Sequence, residues 1–291
     1  ELLQKDTRNR TVIVQYIQDF YRFFKLFPYK NEIDDIFEQK FDFHNKDFFW
    51  YIVDDNNIMR NIAEFYFEKS HFNEALDIFL SLEEKNTSVE LLEKTAYAYQ
   101  SLGEFEKALE YYKKSELISD KRTWLLNKIA FCNRRLGNYQ EALNYYLESE
   151  KIDPQNLYIQ TSLGQVHMDM EEYENALKYF FKVEYLAPDN IKVHRPIAWC
   201  SFVMGKMDTA KKYLEKIISK EGNQYDFMNL GHVLWCQGEK LKAIENYEKS
   251  LKKADKDLEW FTNIMLQDTK FLTENGISEF DIPLMLDYLK M

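Results

Sequence analysis

Residue types that interrupt or cross-link a fold are scarce in this chain. Its 291 residues include only 8 glycines, 5 prolines and 3 cysteines. Scarce glycine and proline argue against sheets joined by tight turns and favour helices on short connections. The cysteines, Cys132, Cys200 and Cys236, are odd in number and form no Cys-x-x-Cys pair. They fit reduced, buried thiols better than a disulfide framework or a zinc site.

Long apolar runs and targeting signals are also missing. We find no stretch of about 18 apolar residues that could span a bilayer, and no signal-peptide pattern. We therefore expect a cytoplasmic protein that does not insert into a membrane. Because the chain begins at Glu1 rather than Met, we expect it to be a fragment of a longer protein.

Positive charge is in short supply relative to negative charge. The chain has 38 Lys and Arg against 49 Asp and Glu, which gives a formal net charge of −11. A chain this acidic repels the phosphate backbone, and no basic stripe offsets the repulsion. The composition therefore predicts no nucleic-acid partner.

Sequence motifs typical of metal, cofactor or catalytic sites are not found. The five histidines never stand three or four residues apart, and none joins a cysteine or aspartate at metal-ligand spacing. No glycine-rich phosphate loop, no Gly-x-Ser-x-Gly and no Cys-His pair suited to catalysis is present. We therefore predict no metal, no cofactor and no catalytic residues.

The clearest pattern in the chain covers residues 123–156. Apolar residues spaced near 3.6 predict two amphipathic helices, about Trp124–Leu136 and about Tyr139–Ile152, with Gly137 between them. One such hairpin cannot bury both faces of its helices. It therefore needs copies of itself on either side.

The sequence contains six copies with a period of 33–34 residues. They start near Asn56, Val89, Thr123, Leu157, Ile191 and Gln224. The eighth residue of each copy is small: Ala63, Ala96, Ala130, Gly164, Ala198 and Gly231. The twentieth is always alanine: Ala75, Ala108, Ala142, Ala176, Ala210 and Ala243. Small residues in phase at two positions indicate two helices that approach each other closely in every copy.

This pattern resembles the tetratricopeptide repeat, a 34-residue helix-turn-helix unit. The fourth copy carries the matching residues Leu163, Gly164, Tyr173, Ala176, Phe180 and Pro188. The fifth copy departs from the pattern, because Pro196 lies inside its first helix and should kink that helix or delay its start. The resemblance implies an all-α, right-handed α-solenoid of about six repeats over residues 56–256.

The two ends of the chain do not follow the repeat. We expect residues 1–55 to form an N-terminal helical cap, or alternatively to fold back across the groove of the repeats. Residues 257–291 are expected to form C-terminal capping helices, one ending at Gly276 and a last one starting near Pro283. The apolar last helix also allows a homo-oligomer.

The resemblance implies that partners bind in a concave groove lined by the first helix of each repeat. On that helix the second, fifth, ninth and twelfth residues share one face. The candidate partner-binding residues on this face are Tyr97, Trp124, Asn127, Phe131, Arg134, Tyr158, Arg195, Trp199, Phe202, Tyr225 and Trp235. Glu64, Glu90 and Glu93 make its N-terminal end acidic. The alternative is that several of the rings pack against neighbouring helices or under the terminal segments.

The expected function is a non-catalytic scaffold that binds a protein or peptide segment in an aromatic-rich groove. Aromatic residues and arginine are enriched where interfaces carry most of their binding energy. Two alternatives to the scaffold are open. In one, the chain is a regulatory or sensory region of a longer protein, and its own terminal segment occupies the groove. In the other, it is an accessory region of an enzyme whose catalytic domain lies upstream.

Overall fold

The computed structural model describes residues 11–12, 15, 56–85, 87–120, 122–255 and 258–290. The chain divides into two compact units, Glu1–Ser119 and Asp120–Met291. All regular structure in the described ranges is helical, with no strand. The expected all-α architecture of paired helices is confirmed, whereas the expected N-terminal cap lies outside the described residues apart from positions 11, 12 and 15.

The first unit contains two helix pairs that match the first two predicted repeats. The helices are α1 (Asn56–Glu68), α2 (Phe72–Lys85), α3 (Val89–Ser101) and α4 (Phe105–Ile118). Each odd-numbered helix packs against the even-numbered helix that follows it. Ala63 and Ala75 face each other's helices with no exposed surface, and the Phe79 ring is fully buried beside them.

The second unit continues with four more pairs and three terminal helices. The paired helices are α5 (Thr123–Arg135), α6 (Tyr139–Ile152), α7 (Leu157–Asp169), α8 (Tyr173–Leu186), α9 (His194–Val203), α10 (Met207–Glu221), α11 (Gln224–Cys236) and α12 (Lys240–Ala254). The terminal helices are α13 (Leu258–Gln267), α14 (Thr269–Glu274) and α15 (Asp281–Tyr288). The helices of each pair pack together, and the pairs pack in chain order.

The small residues at the eighth and twentieth positions lie where paired helices touch. Ala130 and Ala142 have no exposed surface. At Gly164 an added Cβ atom would lie 2.6 Å from the Phe180 ring. The close approach of the two helices is therefore built on these side chains, because a larger one would overlap its neighbour.

The turn inside each repeat uses a left-handed residue at the fifteenth position. Gly137 has φ +79°, and the next amide, Asn138 N–H, donates to the Asn133 carbonyl at 2.9 Å. This closes the end of α5 in the way typical of a left-handed helix stop. The fifteenth residues that share a positive φ are Ser70, Gly103, Gly137, Glu171, Gly205 and Gly238.

The fifth repeat confirms the effect expected of its internal proline. Residues Ile191–Val193 form a 3₁₀ turn, and α9 begins only at His194. Pro196 thus falls within the first turn of α9, where its missing N–H has no helical acceptor to lose. The helix starts late rather than kinking.

The C-terminal helices differ from the sequence prediction. A single helix over residues 257–275 is wrong, because α13 stops at Gln267 and the short α14 begins at Thr269. The last helix begins at Asp281, before Pro283. None of the described helices is both long and apolar enough to cross a membrane.

Candidate partner-binding surface

Three large rings at the second position of their repeats are exposed. Trp124 is 42% exposed, Tyr158 50% and Tyr225 46%. The Lys128 ammonium lies 5.7 Å from the centre of the Trp124 ring, one helical turn away. Tyr225 packs edge-on against Trp260 of α13, with the ring centres 5.8 Å apart. At these three positions part of each ring therefore remains in solvent.

Two further predicted residues lie on α5 beside Trp124. Asn127 and Phe131 are both partly buried. The amide oxygen of Asn127 is buried without a hydrogen-bond partner, so this acceptor is unsatisfied in the structure. Burial lowers the pKa of Lys128 below its ordinary value. This stretch of α5 combines aromatic surface with an unused hydrogen-bond acceptor.

Two of the three carboxylates at the predicted acidic end of the groove, Glu64 and Glu90, form ion pairs in the first unit. Lys94 Nζ donates to Glu64 at 2.7 Å and to Glu90 at 2.8 Å, and Arg60 pairs with the same two carboxylates. The hydrogen bond from Lys94 holds the pKa of Glu64 below its usual range. The four side chains join α1 to α3, so they do not form an uncompensated negative surface.

Tyr97 lies in a small aromatic cluster of the first unit. Its ring centre is 5.5 Å from that of Phe67 and 6.2 Å from that of Phe72. The Phe67 ring in turn lies 6.0 Å from Phe79 of the core. Tyr97 therefore packs on neighbouring rings and retains only part of its surface for a partner.

Two predicted arginines link successive repeats inside the second unit. Arg134 donates to Gln165 at 2.9 Å and pairs with Asp169 on α7. Arg195 donates through Nε and Nη2 to the two oxygens of Asp226, both at 2.9 Å. That bond raises the pKa of the Arg195 guanidinium. Both guanidinium groups already have carboxylate partners within the chain.

Two predicted groove rings belong to the core. Phe202 is 1% exposed and Trp235 is 2% exposed. The Phe202 ring lies 5.7 Å from Trp199 and 6.0 Å from His232, and Trp235 packs edge-on against Tyr247 at 6.4 Å. Their side chains cannot touch a partner in this structure, because the close packing of repeats five and six leaves them no solvent.

Trp199 is partly buried by a residue that sequence analysis did not assign to the groove. Phe271 of α14 meets the Trp199 ring edge-on, with the ring centres 5.3 Å apart. Phe271 also lies 6.5 Å from Tyr173 at the start of α8. No local sequence signal points to these contacts, since they join residues 72 and 98 positions apart.

Family models for the tetratricopeptide repeat match four segments of the chain. One matches residues 124–156, a second matches residues 89–121 and 157–190, and a third matches residues 197–223. These segments coincide with predicted repeats two to five. No curated protein matches the chain significantly as a sequence.

Solved structures resemble the fold. A tetratricopeptide repeat protein from Parabacteroides merdae ATCC 43184 is 15% identical with a TM-score of 0.62, covering 81% of this chain and 99% of its own. MamA from Desulfovibrio magneticus RS-1 is 18% identical with a TM-score of 0.54, covering 58% and 99%. The pilF protein of Pseudomonas aeruginosa is 18% identical with a TM-score of 0.56, covering 70% and 94%. At such identities the likeness concerns the fold alone.

The repeat matches and the described helix pairs agree in register, with matched segments beginning at residues 89 and 157, where α3 and α7 begin. Helix pairs of this kind stack through their neighbours and offer extended surfaces for binding. Residues 89–223 of the chain therefore consist of repeats of the tetratricopeptide family.

Proposed function

We propose that the chain is a non-catalytic scaffold that binds a segment of a partner protein on the exposed side of α5 and α7. This surface, called the aromatic face below, consists of Trp124, Asn127, Phe131 and Tyr158. The observation that carries the proposal is the exposure of Trp124 (42%) and Tyr158 (50%) at the same position of consecutive repeats.

The chemistry of the aromatic face suits an extended or helical segment with apolar anchors. A tryptophan and a tyrosine lose little rotamer freedom on binding and bury a large area, so single rings at interfaces can contribute about 2 kcal/mol or more. The unsatisfied amide oxygen of Asn127 lies one helical turn from Trp124. Because that oxygen is buried, a backbone N–H of a bound segment would reach it only after the Asn127 side chain turns outward.

The other predicted residues have smaller roles in this proposal. Arg134 and Arg195 are engaged by Asp169 and Asp226, and Phe202 and Trp235 are buried. We therefore confine the anchors to the aromatic face. The peripheral contacts within the second unit are left to Trp199 and Tyr225.

A capture experiment with a matched control tests the aromatic face. The full chain is used to capture partners from a native lysate, beside a Trp124→Ala/Tyr158→Ala variant and a Tyr185→Ala variant, each shown by circular dichroism to be folded. Tyr185 lies on the second helix of repeat four and is 84% exposed. We expect the wild type and Tyr185→Ala to retain a partner that the double variant loses, with affinity at least about 10-fold weaker. Equal capture by the double variant would contradict the proposal.

A second copy of the chain is proposed as a partner of the last helix. Leu284 and Tyr288 of α15 are spaced four residues apart, in line with Phe280 at the N-cap of that helix. The three residues are 64%, 53% and 86% exposed, respectively. Rings and aliphatic side chains in a row of this kind are typical of helix pairing. Light scattering should give a mass above the monomer that falls to the monomer in Leu284→Asp. A monomeric wild type at about 100 μM would exclude self-association of practical strength.

A catalytic domain upstream of Glu1 stays an untested alternative. The full open reading frame tests it, because a catalytic domain there would make the repeats an accessory region of an enzyme.

A further inference from the structure

A short segment after the last repeat lies across three earlier repeats. We call residues 268–276 the strap, which contains α14. It begins at Asp268, between α13 and α14, and ends at Gly276, which has φ +92°. Its Phe271 ring enters the notch between Trp199 and Tyr173, at 5.3 Å and 6.5 Å between ring centres. The strap thus covers part of the face predicted to bind a partner.

Three polar contacts hold the strap along its length. Asn275 Nδ2 donates to the Phe202 carbonyl at 3.2 Å in repeat five. In repeat six His232 Nε2 lies 3.3 Å from Asp268 Oδ2. In repeat four, 99 residues away in sequence, Glu171 pairs with Lys270 at 3.2 Å.

The strap is held weakly in comparison with the repeats. Leu272 is the one buried side chain among residues 268–276. The Lys270 and Glu171 side chains are 55% and 63% exposed. An ion pair this accessible to water adds little to stability. A helix of six residues is not stable by itself. The strap therefore depends on its contacts with the repeats and is a candidate for local opening.

We propose that the strap is an intramolecular ligand, displaced when a partner segment of the same chemistry binds. That chemistry is a basic residue followed by an aromatic and an aliphatic residue, as in Lys270-Phe271-Leu272. The inference rests on the proposed function, since a segment on the aromatic face would reach this notch by continuing along the first helices. A tethered ligand has an effective concentration near the millimolar range, so a partner must bind tightly to replace it.

A peptide in trans tests whether the strap occupies a binding site. The probe is a fluorescein-labelled synthetic peptide with residues 266–277, LQDTKFLTENGI. It is titrated into the full chain, into Lys270→Glu/Phe271→Ala, which weakens the strap, and into Tyr185→Ala as a control. Tyr185 is 84% exposed and lies outside the strap. We expect the peptide to bind the weakened variant at least about 10-fold more tightly than the wild type or the control.

A control peptide and one contradicting outcome complete the titration. The peptide that carries Lys270→Glu and Phe271→Ala should bind none of the three chains. Equal affinity of the unaltered peptide for all three chains, each folded by circular dichroism, would overturn the proposal.

Hydrogen exchange on the unaltered chain gives a second measurement, which does not require the variant to fold. We expect amides of residues 269–276 to exchange at least about 10-fold faster than those of α11, because the strap opens locally. Exchange of both segments at the same rate would make the strap a fixed part of the core and would overturn the proposal.

The experiments distinguish failure of the strap proposal from failure of the aromatic-face proposal. The peptide titration and the exchange rates need no lysate partner. Trp124→Ala/Tyr158→Ala lies outside the notch, so it should leave peptide binding to the weakened variant unchanged even if it abolishes capture of the partner.

Discussion

On the first helices of repeats four and six, Gly164 and Gly231 each make room for a buried ring of the second helix, Phe180 and Tyr247 respectively. An added Cβ atom at Gly231 would lie 2.3 Å from Cε1 of Tyr247. Tyr247 has no exposed surface, and its hydroxyl lies 2.8 Å from Nδ1 of His232. The ring has little freedom to move aside, because it is packed on all sides and hydrogen-bonded at its tip.

We predict that Gly231→Ala lowers the stability of the chain by about 2 kcal/mol through overpacking, despite the better helix propensity of alanine. The urea midpoint followed by circular dichroism measures the change. Asn229→Ala on the same helix is the control and should leave the midpoint nearly unchanged. A midpoint for Gly231→Ala at or above that of the wild type would show that the Tyr247 ring can move.

A serine in the first repeat occupies a backbone conformation that favours glycine. Ser70 has φ +65°, at the turn position where Gly137 has φ +79°. The left-handed backbone conformation costs a non-glycine residue about 1–2 kcal/mol. Part of this cost is offset, because a serine gives the unfolded chain less conformational entropy than a glycine does. We expect Ser70→Gly to stabilise the chain by about 0.5–1 kcal/mol, and Gly137→Ala to destabilise it. Urea midpoints that moved the other way would contradict this account of the turn.

At the scale of elements, the first helices of successive repeats are joined by charged side chains. In repeats five and six, Arg195 of α9 grips both oxygens of Asp226 in α11, whose residue exposure is 2%. Asp226 also accepts from the backbone N–H of Asn223 at 2.7 Å, which completes a capping box at the start of α11. One carboxylate therefore holds both the start of a helix and its neighbour.

We predict that Arg195→Ala destabilises the chain by about 2 kcal/mol. Removal of one partner leaves a buried carboxylate without its cation, although the 40% exposure of the Arg195 side chain reduces the cost. Lys192→Ala, at an exposed position one turn earlier, is the matched control and should change stability by less than about 0.5 kcal/mol. Similar urea midpoints for the two variants would mean that Arg195 serves another purpose, such as contact with a partner.

At the scale of the whole molecule, the net charge of −11 limits the partners that the chain can attract. Several of its cations already pair with carboxylates of the chain, including Arg60, Lys94 and Arg134. Each such pair removes a positive charge from the surface that could meet a phosphate. The remaining field repels polyanions.

We predict no binding of a labelled 20-nucleotide DNA or RNA by the full chain at 150 mM salt, up to about 10 μM protein. Fluorescence anisotropy measures it, with a basic DNA-binding protein as the positive control. Binding that weakens steeply with added salt would reveal a basic surface and would contradict the prediction from composition.

Features that depend on neighbours in sequence could be predicted from the sequence itself. The helix pairs begin at Asn56, Val89, Thr123, Leu157 and Gln224 as the period requires. Their boundaries follow from apolar spacing, small residues at the close approach and a left-handed stop, all set within about one repeat. The delayed helix at Pro196 follows from the geometry of a single residue.

Only the tertiary structure decided whether each predicted groove residue is exposed or buried. The same spacing that identified Trp124 and Tyr158, which are exposed, also selected Phe202 and Trp235, which are buried. Periodicity shows which face of a helix a residue occupies but not what covers that face. Trp199 is covered by Phe271 from the strap, and its exposure therefore depends on a contact 72 residues away in the chain.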